Sequence, residues 1–277
     1  MRMLLPRCLD EALALLAAHP DAMAVAGGTD LFVRWPERLD RHGRPLLDLS
    51  GVPELRPHSL QPDALVLGAT TTYWDVLMDP VVTAEFPLLA AAARQVGAVQ
   101  IQTRGTWAGN IANASPAADG VLALMACDAV VELRSDRERA EVPLAEFYVG
   151  YRQTRCQPDQ LITRIRLPRR PRDCQRFEKV GSRRAQTISK VGLAICRVGE
   201  EWRVVVNSMA PTVRRCQSLE HALASGSPSA SVADWLPLIR TDLAPIDDLR
   251  STRHYREQVL ARLLHASGAT GGEPLVS

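Results

Sequence analysis

Apolar positions along this chain switch between a helical period and a strand period, and the switches mark out its elements. Residues 10–19 set alanine and leucine at helical spacing behind Asp10, and Pro20 ends the run, so a helix is expected there. Residues 23–26 form a short apolar strand that runs into Gly27 and Gly28. Residues 46–49 and 65–69 read as strands, with a break at 51–53. The threonines at 70–72 offer an N-cap for a helix to about Met78, and Pro87 opens an alanine-rich helix to about Val96. Residues 120–127 predict a helix and 129–133 a strand, 141–143 follows, and 161–167 alternates as a strand does. Residues 168–173 hold two prolines, three arginines and no large apolar side chain, and read as a linker. Beyond it the pattern turns to long, antiparallel-looking strands at 175–180, 191–198 and 202–208, then helices at 214–224, 232–243 and 251–266. The tail 267–274 reads as disordered. The order predicts an α+β chain: two N-terminal α/β lobes, 1–55 and 56–168, and a C-terminal antiparallel sheet-plus-helices domain, 169–277.

Two stretches stand apart from this pattern. Residues 104–119 are rich in small side chains and nearly uncharged until Asp119, and they lie between two apolar, alanine-rich segments. Residues 25–31 (Val25, Ala26, Gly27, Gly28, Thr29, Asp30, Leu31) have the same character. Small residues let a backbone approach another group closely, so both stretches are expected to be loops. Together they suggest one ligand held from two sides by backbone N–H groups, in the manner of a phosphate cradle. Neither carries the lysine of a P-loop or the spacing of a dinucleotide fingerprint. Taken alone, the Gly27-Gly28 segment also fits a plain tight turn.

Charge and cysteine content narrow the function. Lys and Arg number 33 against 31 Asp and Glu, a net charge of +2, which gives no electrostatic case for nucleic acid. The six cysteines (8, 127, 156, 174, 196 and 216) are scattered without a C-x-x-C pair. That argues against a zinc site or an iron–sulfur cluster in this chain and for reduced thiols in a cytoplasmic protein. No apolar run is long enough to span a membrane, and the N-terminus does not read as a signal peptide. No Ser-His-Asp or Cys-His arrangement is visible, so no catalytic side chain is assigned.

The motifs, in their order, resemble the flavoprotein subunit of molybdenum hydroxylases, the xanthine dehydrogenase and aerobic CO dehydrogenase family. The resemblance rests on the double-glycine segment 26–31, on 106–111 with Pro116 and Asp119, and on 147–154, 160–168, 177–190 and 245–250. It covers nearly the whole chain. It implies a vanillyl-alcohol-oxidase-type fold with FAD between the two N-terminal lobes. The backbone of residues 25–31 and of Thr106, Trp107, Ala108, Gly109 and Asn110 would wrap the FAD diphosphate. Asp119 matches a position on the ribityl–adenine side, Ile162 an apolar contact to the cofactor, and Lys179 a lysine near the flavin. Ile188 matches an aliphatic residue packed on the isoalloxazine ring. The partners implied are a large subunit with the molybdenum cofactor and a small [2Fe-2S] subunit, in a heterotrimer or its dimer. The function implied is to relay electrons from those clusters through FAD to an external acceptor.

Residue chemistry leaves other readings open. Asp119 also fits a helix cap, Lys179 a solvated strand position, and Ile162 an ordinary core residue. The alternatives at the level of function are a stand-alone flavin oxidase of the same fold and a flavin-free assembly subunit. The chain departs from the family where two adjacent glycines and a smaller aliphatic residue give way to Trp107-Ala108-Gly109. Ala108 is therefore expected at negative φ, with Gly109 taking the permissive geometry and Trp107 lying along the cofactor or covering the loop. The four-cysteine insertion of the 4-hydroxybenzoyl-CoA reductase-like members is missing, so no extra cluster is expected.

Overall fold

The computed structural model describes residues 2–34, 43–226 and 231–269. The first elements are β1 (Met3–Leu4), α1 (Leu9–Ala18), β2 (Met23–Val25) and β3 (Leu46–Asp48). Leu9, Ala12, Leu13 and Leu16 are the buried side of α1, the spacing of one helical face. The three strands form a small parallel sheet in the order β1-β3-β2, with Met23 to Val25 in register with Leu46 to Asp48. Gly27 and Gly28 emerge from the end of β2.

The middle of the chain contributes β4 (His58–Leu60), β5 (Ala64–Gly68), α2 (Tyr73–Met78), α3 (Pro80–Glu85), α4 (Pro87–Arg94), α5 (Val99–Gln102), α6 (Trp107–Asn113) and α7 (Asp119–Ala126). It continues with β6 (Val130–Arg134), β7 (Arg139–Pro143), α8 (Leu144–Phe147), β8 (Tyr148–Gly150), β9 (Gln153–Thr154) and β10 (Leu161–Pro168). A five-stranded antiparallel sheet, β4-β5-β10-β6-β7, carries the helices on its apolar face. α2 starts as its threonines predict: Thr72 accepts from Asp75 N–H at 3.1 Å, and the Asp75 carboxylate accepts from Thr72 N–H at 2.7 Å. α7 is buried over its whole length, from Asp119 to Ala126. That helix is the centre of the molecule, since it also packs on the third sheet.

The C-terminal part holds β11 (Cys174–Val180), β12 (Val191–Val198), β13 (Glu201–Asn207), β14 (Arg214–Arg215), α9 (Gln217–Ala224), α10 (Trp235–Asp242) and α11 (Arg253–Ala269). Its sheet is antiparallel in sequence order, β11-β12-β13-β14. One face meets α7 through Ala194, Cys196 and Val205, while the other buries Leu193, Ile195, Val204 and Val206 under α9, α10 and α11. The sheet is thus apolar on both sides, and β12 reads as a continuous apolar run for that reason.

Two expectations are corrected here. Residues 168–173 do join β10 to β11, and the segment is tied down: Arg169 pairs with Glu85, Arg170 with Asp128, and the Arg172 guanidinium lies 4.6 Å from the Phe86 ring centre. Each arginine of the segment finds a partner on the preceding domain, while Asp173 accepts from Gly199 N–H of the C-terminal sheet at 2.7 Å. The segment expected as one helix from 214 opens with the short strand β14 before α9 begins. The tail expected to be disordered from 267 is helical through Ala269, where Ser267 Oγ donates to the Leu263 carbonyl at 2.6 Å, and residues 270–274 lie outside the described residues.

Candidate functional site

The two small-residue stretches meet. A Cβ built on Gly27 would lie 1.8 Å from the Arg104 carbonyl oxygen, so the backbones touch where only glycine fits. Gly28 sits at φ +71° and turns the chain, and Phe32 N–H then closes on the Gly28 carbonyl at 3.0 Å. The N–H groups of residues 27–31 donate to no other group among the described residues.

The junction divides two clefts. Ala26, Gly27, Arg104, Thr106, His58 and Trp74 line one of about 670 Å³. Thr29, Asp30, Asn110, Asp119, Lys179 and Ile188 line the other, of about 530 Å³. Nine of the residues singled out in the sequence therefore line the two clefts, three on the first and six on the second, with the glycine junction as the waist between them. Among them Ile188 is 54 % exposed, in the loop from β11 to β12.

The second stretch differs from expectation. Residues 107–113 form α6, with Thr106 as N-cap and its Oγ1 accepting from Gly109 N–H at 3.0 Å. Ala108 avoids positive φ as expected, but Gly109 is helical too, and the left-handed position falls on Ala114 at φ 49°. A helix therefore stands where a wrapping loop was expected: its cap satisfies an end that a loop would leave open. Trp107 neither follows the cleft nor covers it. Its ring is fully buried, 4.7 Å from that of Tyr73, and its Nε1 donates to the Thr72 carbonyl at 3.2 Å. An indole that large is more stable in the core, with its N–H satisfied, than over a solvent-lined groove. Val25 and Ile162 are also core residues that line neither cleft; Ile162 pairs with Leu133 between β10 and β6.

Lys179 is not a solvated strand lysine. Its side chain is buried, and Nζ donates to Asp119 Oδ2 at 2.7 Å and to the Gln95 carbonyl at 2.8 Å. Asp119 is the first residue of α7 but not its cap, which is Ala118. Its other oxygen accepts from Ser189 Oγ at 2.7 Å and Asn207 Nδ2 at 3.1 Å. Three donors from the C-terminal domain thus converge on one carboxylate of the preceding domain. Asn110 spans a shorter gap, its Oδ1 accepting from Val121 N–H at 3.1 Å and so joining α6 to α7.

Sequence reasoning missed Ser189, Asn207 and Tyr73. Asn207 ends a run of three valines, and its partner across the sheet is Gly192, where a Cβ would lie 2.5 Å from Asn207 Oδ1. A polar residue closing an apolar strand opposite a glycine was the available signal. Tyr73 follows the capping threonine, and its buried hydroxyl has no hydrogen-bond partner. Burial, then the nearby Asp119 and Asp30 carboxylates, push that phenol well above its ordinary range, so it stays protonated.

A glycine waist with unspent N–H donors between two clefts fits an elongated ligand with a diphosphate at its middle, and FAD has that form. The comparisons agree. Residues 1–170 match the model of the FAD binding domain in molybdopterin dehydrogenase, and residues 176–267 that of the CO dehydrogenase flavoprotein C-terminal domain. A xanthine dehydrogenase FAD-binding subunit of Escherichia coli O157:H7 is 29% identical over 284 residues, covering 96% of this chain and 95% of its own. The carbon monoxide dehydrogenase medium chain of Hydrogenophaga pseudoflava is 28% identical over 278 residues, covering 95% and 96%. A solved carbon monoxide dehydrogenase from that organism, lacking the Mo-pyranopterin moiety of its cofactor, superposes with a TM-score of 0.84 at 26% identity, over 96% of this chain and 95% of that one. The chain belongs to the FAD-binding flavoprotein subunits of the molybdopterin dehydrogenase family of oxidoreductases.

Proposed function

We propose that this chain seats one non-covalent FAD across the glycine junction and is the electron-relay member of a heterotrimeric molybdenum hydroxylase. One partner would be a large subunit holding the molybdenum cofactor, the other a small subunit with [2Fe-2S] clusters. When bound, FAD supplies the redox chemistry, and the chain supplies position and electrostatics. The observation that carries the reading is the contact of Gly27 with the Arg104 carbonyl, beside donors that have no other use in the described chain.

Each residue then has a defined task. The N–H groups of residues 27–31 meet the diphosphate, with Thr29 and Thr106 at its flanks. Asn110 and Asp119 line the lobe toward the C-terminal domain, where Ile188 offers an apolar side chain to the ring system. Lys179 acts through Asp119, whose carboxylate it holds in place. Val25 and Ile162 support the lobes from the core. The six cysteines are all free thiols, which suits work in the cytoplasm, and among the described residues no helix is long and apolar enough to cross a membrane.

The test is spectroscopic. The purified chain is expected to show flavin absorbance that acid precipitation releases as FAD, and to show no substrate-dependent bleaching until both partner subunits are added. A colourless chain that takes up no FAD, or bleaching by substrate in the isolated chain, would overturn the reading.

A further inference from the structure

The cleft beside Gly27 is lined by two arginines, Arg56 and Arg104, whose charge nothing in the described chain neutralises. Their backbones are pinned. Arg56 N–H donates to the Pro53 carbonyl at 3.1 Å, and its own carbonyl accepts from Thr71 Oγ1 at 3.3 Å. The Arg104 carbonyl is the group that Gly27 leaves room for. Both side chains are exposed, and neither guanidinium pairs with a carboxylate, a carbonyl or a ring among the described residues. Elsewhere the chain closes such pairs: Arg169 holds Glu85, and Arg170 and Arg203 share Asp128. The other charged groups on this cleft are engaged. The Asp75 carboxylate accepts from Thr72 N–H and Oγ1, both at 2.7 Å, and His58 Nε2 lies 2.9 Å from Asp79 Oδ2. The cleft is therefore left with a surplus of positive charge next to the unspent N–H donors of residues 27–31. Trp74, 36 % exposed, adds an aromatic wall to it, whereas Ile188 and the Asp119–Lys179 pair line the other cleft.

We propose that Arg56 and Arg104 are further cofactor-binding residues, whose guanidinium groups meet the FAD diphosphate from its adenosine side. This rests on the reading that FAD lies across the glycine junction. Backbone N–H groups offer only partial charges, and a diphosphate diester brings two full negative ones; two free guanidinium groups at the waist match that charge, and each can hold a phosphate through paired N–H donors. The adenosine half then occupies the cleft beside Gly27, with its base against Trp74, and the ring system takes the cleft of Ile188. Because both arginines reach the site from exposed positions, their attraction is screened by salt, which the N–H dipoles at the buried junction feel far less.

The test titrates FAD into the flavin-free full chain at low and at high salt, beside Arg56→Gln, Arg104→Gln, the double variant and the charge-keeping pair Arg56→Lys with Arg104→Lys. Each single Gln variant is expected to bind FAD about tenfold more weakly at low salt, the loss of one charge-assisted contact to phosphate. Added salt should weaken the parent several-fold and the double Gln variant much less, since the screened charges are gone. The double Lys variant should keep most of the affinity and the salt dependence. Thermal unfolding of the apo forms should be the same for all, because the side chains replaced are exposed and unpaired. A double Gln variant that binds within about twofold of the parent, or that keeps the parent's salt dependence, overturns the proposal. So does a double Lys variant that loses as much as the double Gln variant, or a Gln variant whose apo form unfolds earlier. A parent chain that takes up no FAD at either salt overturns the site reading itself, and this inference with it.

Discussion

Lys179 Nζ lies 2.7 Å from Asp119 Oδ2, joining a strand of the C-terminal sheet to the first residue of α7, with side-chain exposures of 4 % and 9 %. A pair so dry is strongly asymmetric: removing either member leaves the other charge buried and uncompensated. It is also the place where the two family domains share the wall of one cleft.

Lys179→Met is therefore expected to lower the apo protein's unfolding free energy by about 3–5 kcal/mol, and Asp119→Asn by a similar amount. The double variant should lose much less than the sum, because no buried charge is then left alone. Urea unfolding of the four proteins measures this. Additive losses would show that the two residues stabilise the fold independently.

The glycine waist gives a second expectation. Gly27→Ala must push the Arg104 backbone away, since the new Cβ would start 1.8 Å from its oxygen. The variant should lose about 1–3 kcal/mol from overpacking, and its FAD affinity should fall as the two stretches separate. Gly28→Ala should cost about 1–2 kcal/mol for its left-handed φ, with the Phe32 ring, an exposed side chain, able to move aside. FAD titration into both variants is the check: if Gly28→Ala is the more damaging to binding, the waist has been placed on the wrong glycine.

Much of this was legible in the sequence wherever one element decides its own form. α1 follows from leucine and alanine spacing before a proline, and α2 from Thr72 with Asp75 three residues on. The convergence of residues 25–31 with 104–119 was legible from their shared lack of bulk. Partnerships set by tertiary packing were not. Lys179 alternates along β11 like any strand residue, and nothing local says that its ammonium will meet Asp119 at the start of α7. Ser189 and Asn207 reach the same carboxylate from 70 and 88 positions away, a distance no periodicity spans. Trp107 was placed at the cleft because its neighbours are there, whereas its size and its N–H were better satisfied under α2.

Acid should weaken the packing of α3 through Asp79. Its Oδ1 accepts from Val81 and Val82 N–H at 2.9 and 3.0 Å as the N-cap, and its Oδ2 meets His58 Nε2 at 2.9 Å. The Val82 N–H above all, then the His58 ring, hold this carboxyl below the usual carboxylate range. A folded pKa below the unfolded one, about 3.9, means the stabilisation is fully present above that pH. It is lost as pH falls through the lower, folded value. Asp79→Ala should cost about 1 kcal/mol at pH 7, and the gap from the parent should close toward pH 2. A gap that is the same at both pH values would remove the carboxylate from the explanation.

The last expectation concerns Ala108 and Gly109, which sit in the first turn of α6 and not in a strained loop. Ala108 is nearly buried and helical, so Ala108→Gly removes a good helix former and should cost about 1 kcal/mol of stability. It changes no donor facing either cleft, so FAD affinity should stay within about twofold, well below the tenfold that 1.4 kcal/mol would bring. Gly109 differs for a reason of packing: a Cβ there would sit 2.8 Å from Thr106 Oγ1, the atom that caps the helix through Gly109 N–H. Gly109→Ala would gain helix propensity but displace the capping hydroxyl, and the loss of an N-cap is worth about 1 kcal/mol or more. Thr106 also lines the cleft beside Gly27, so the displaced side chain should weaken FAD binding as well as the helix. The Thr106→Ala variant separates the two contributions. If the cap is the cause, adding Gly109→Ala to Thr106→Ala should cost nothing more, in unfolding or in FAD titration. A further loss in the double variant would mean that the Cβ at 109 meets the cofactor itself.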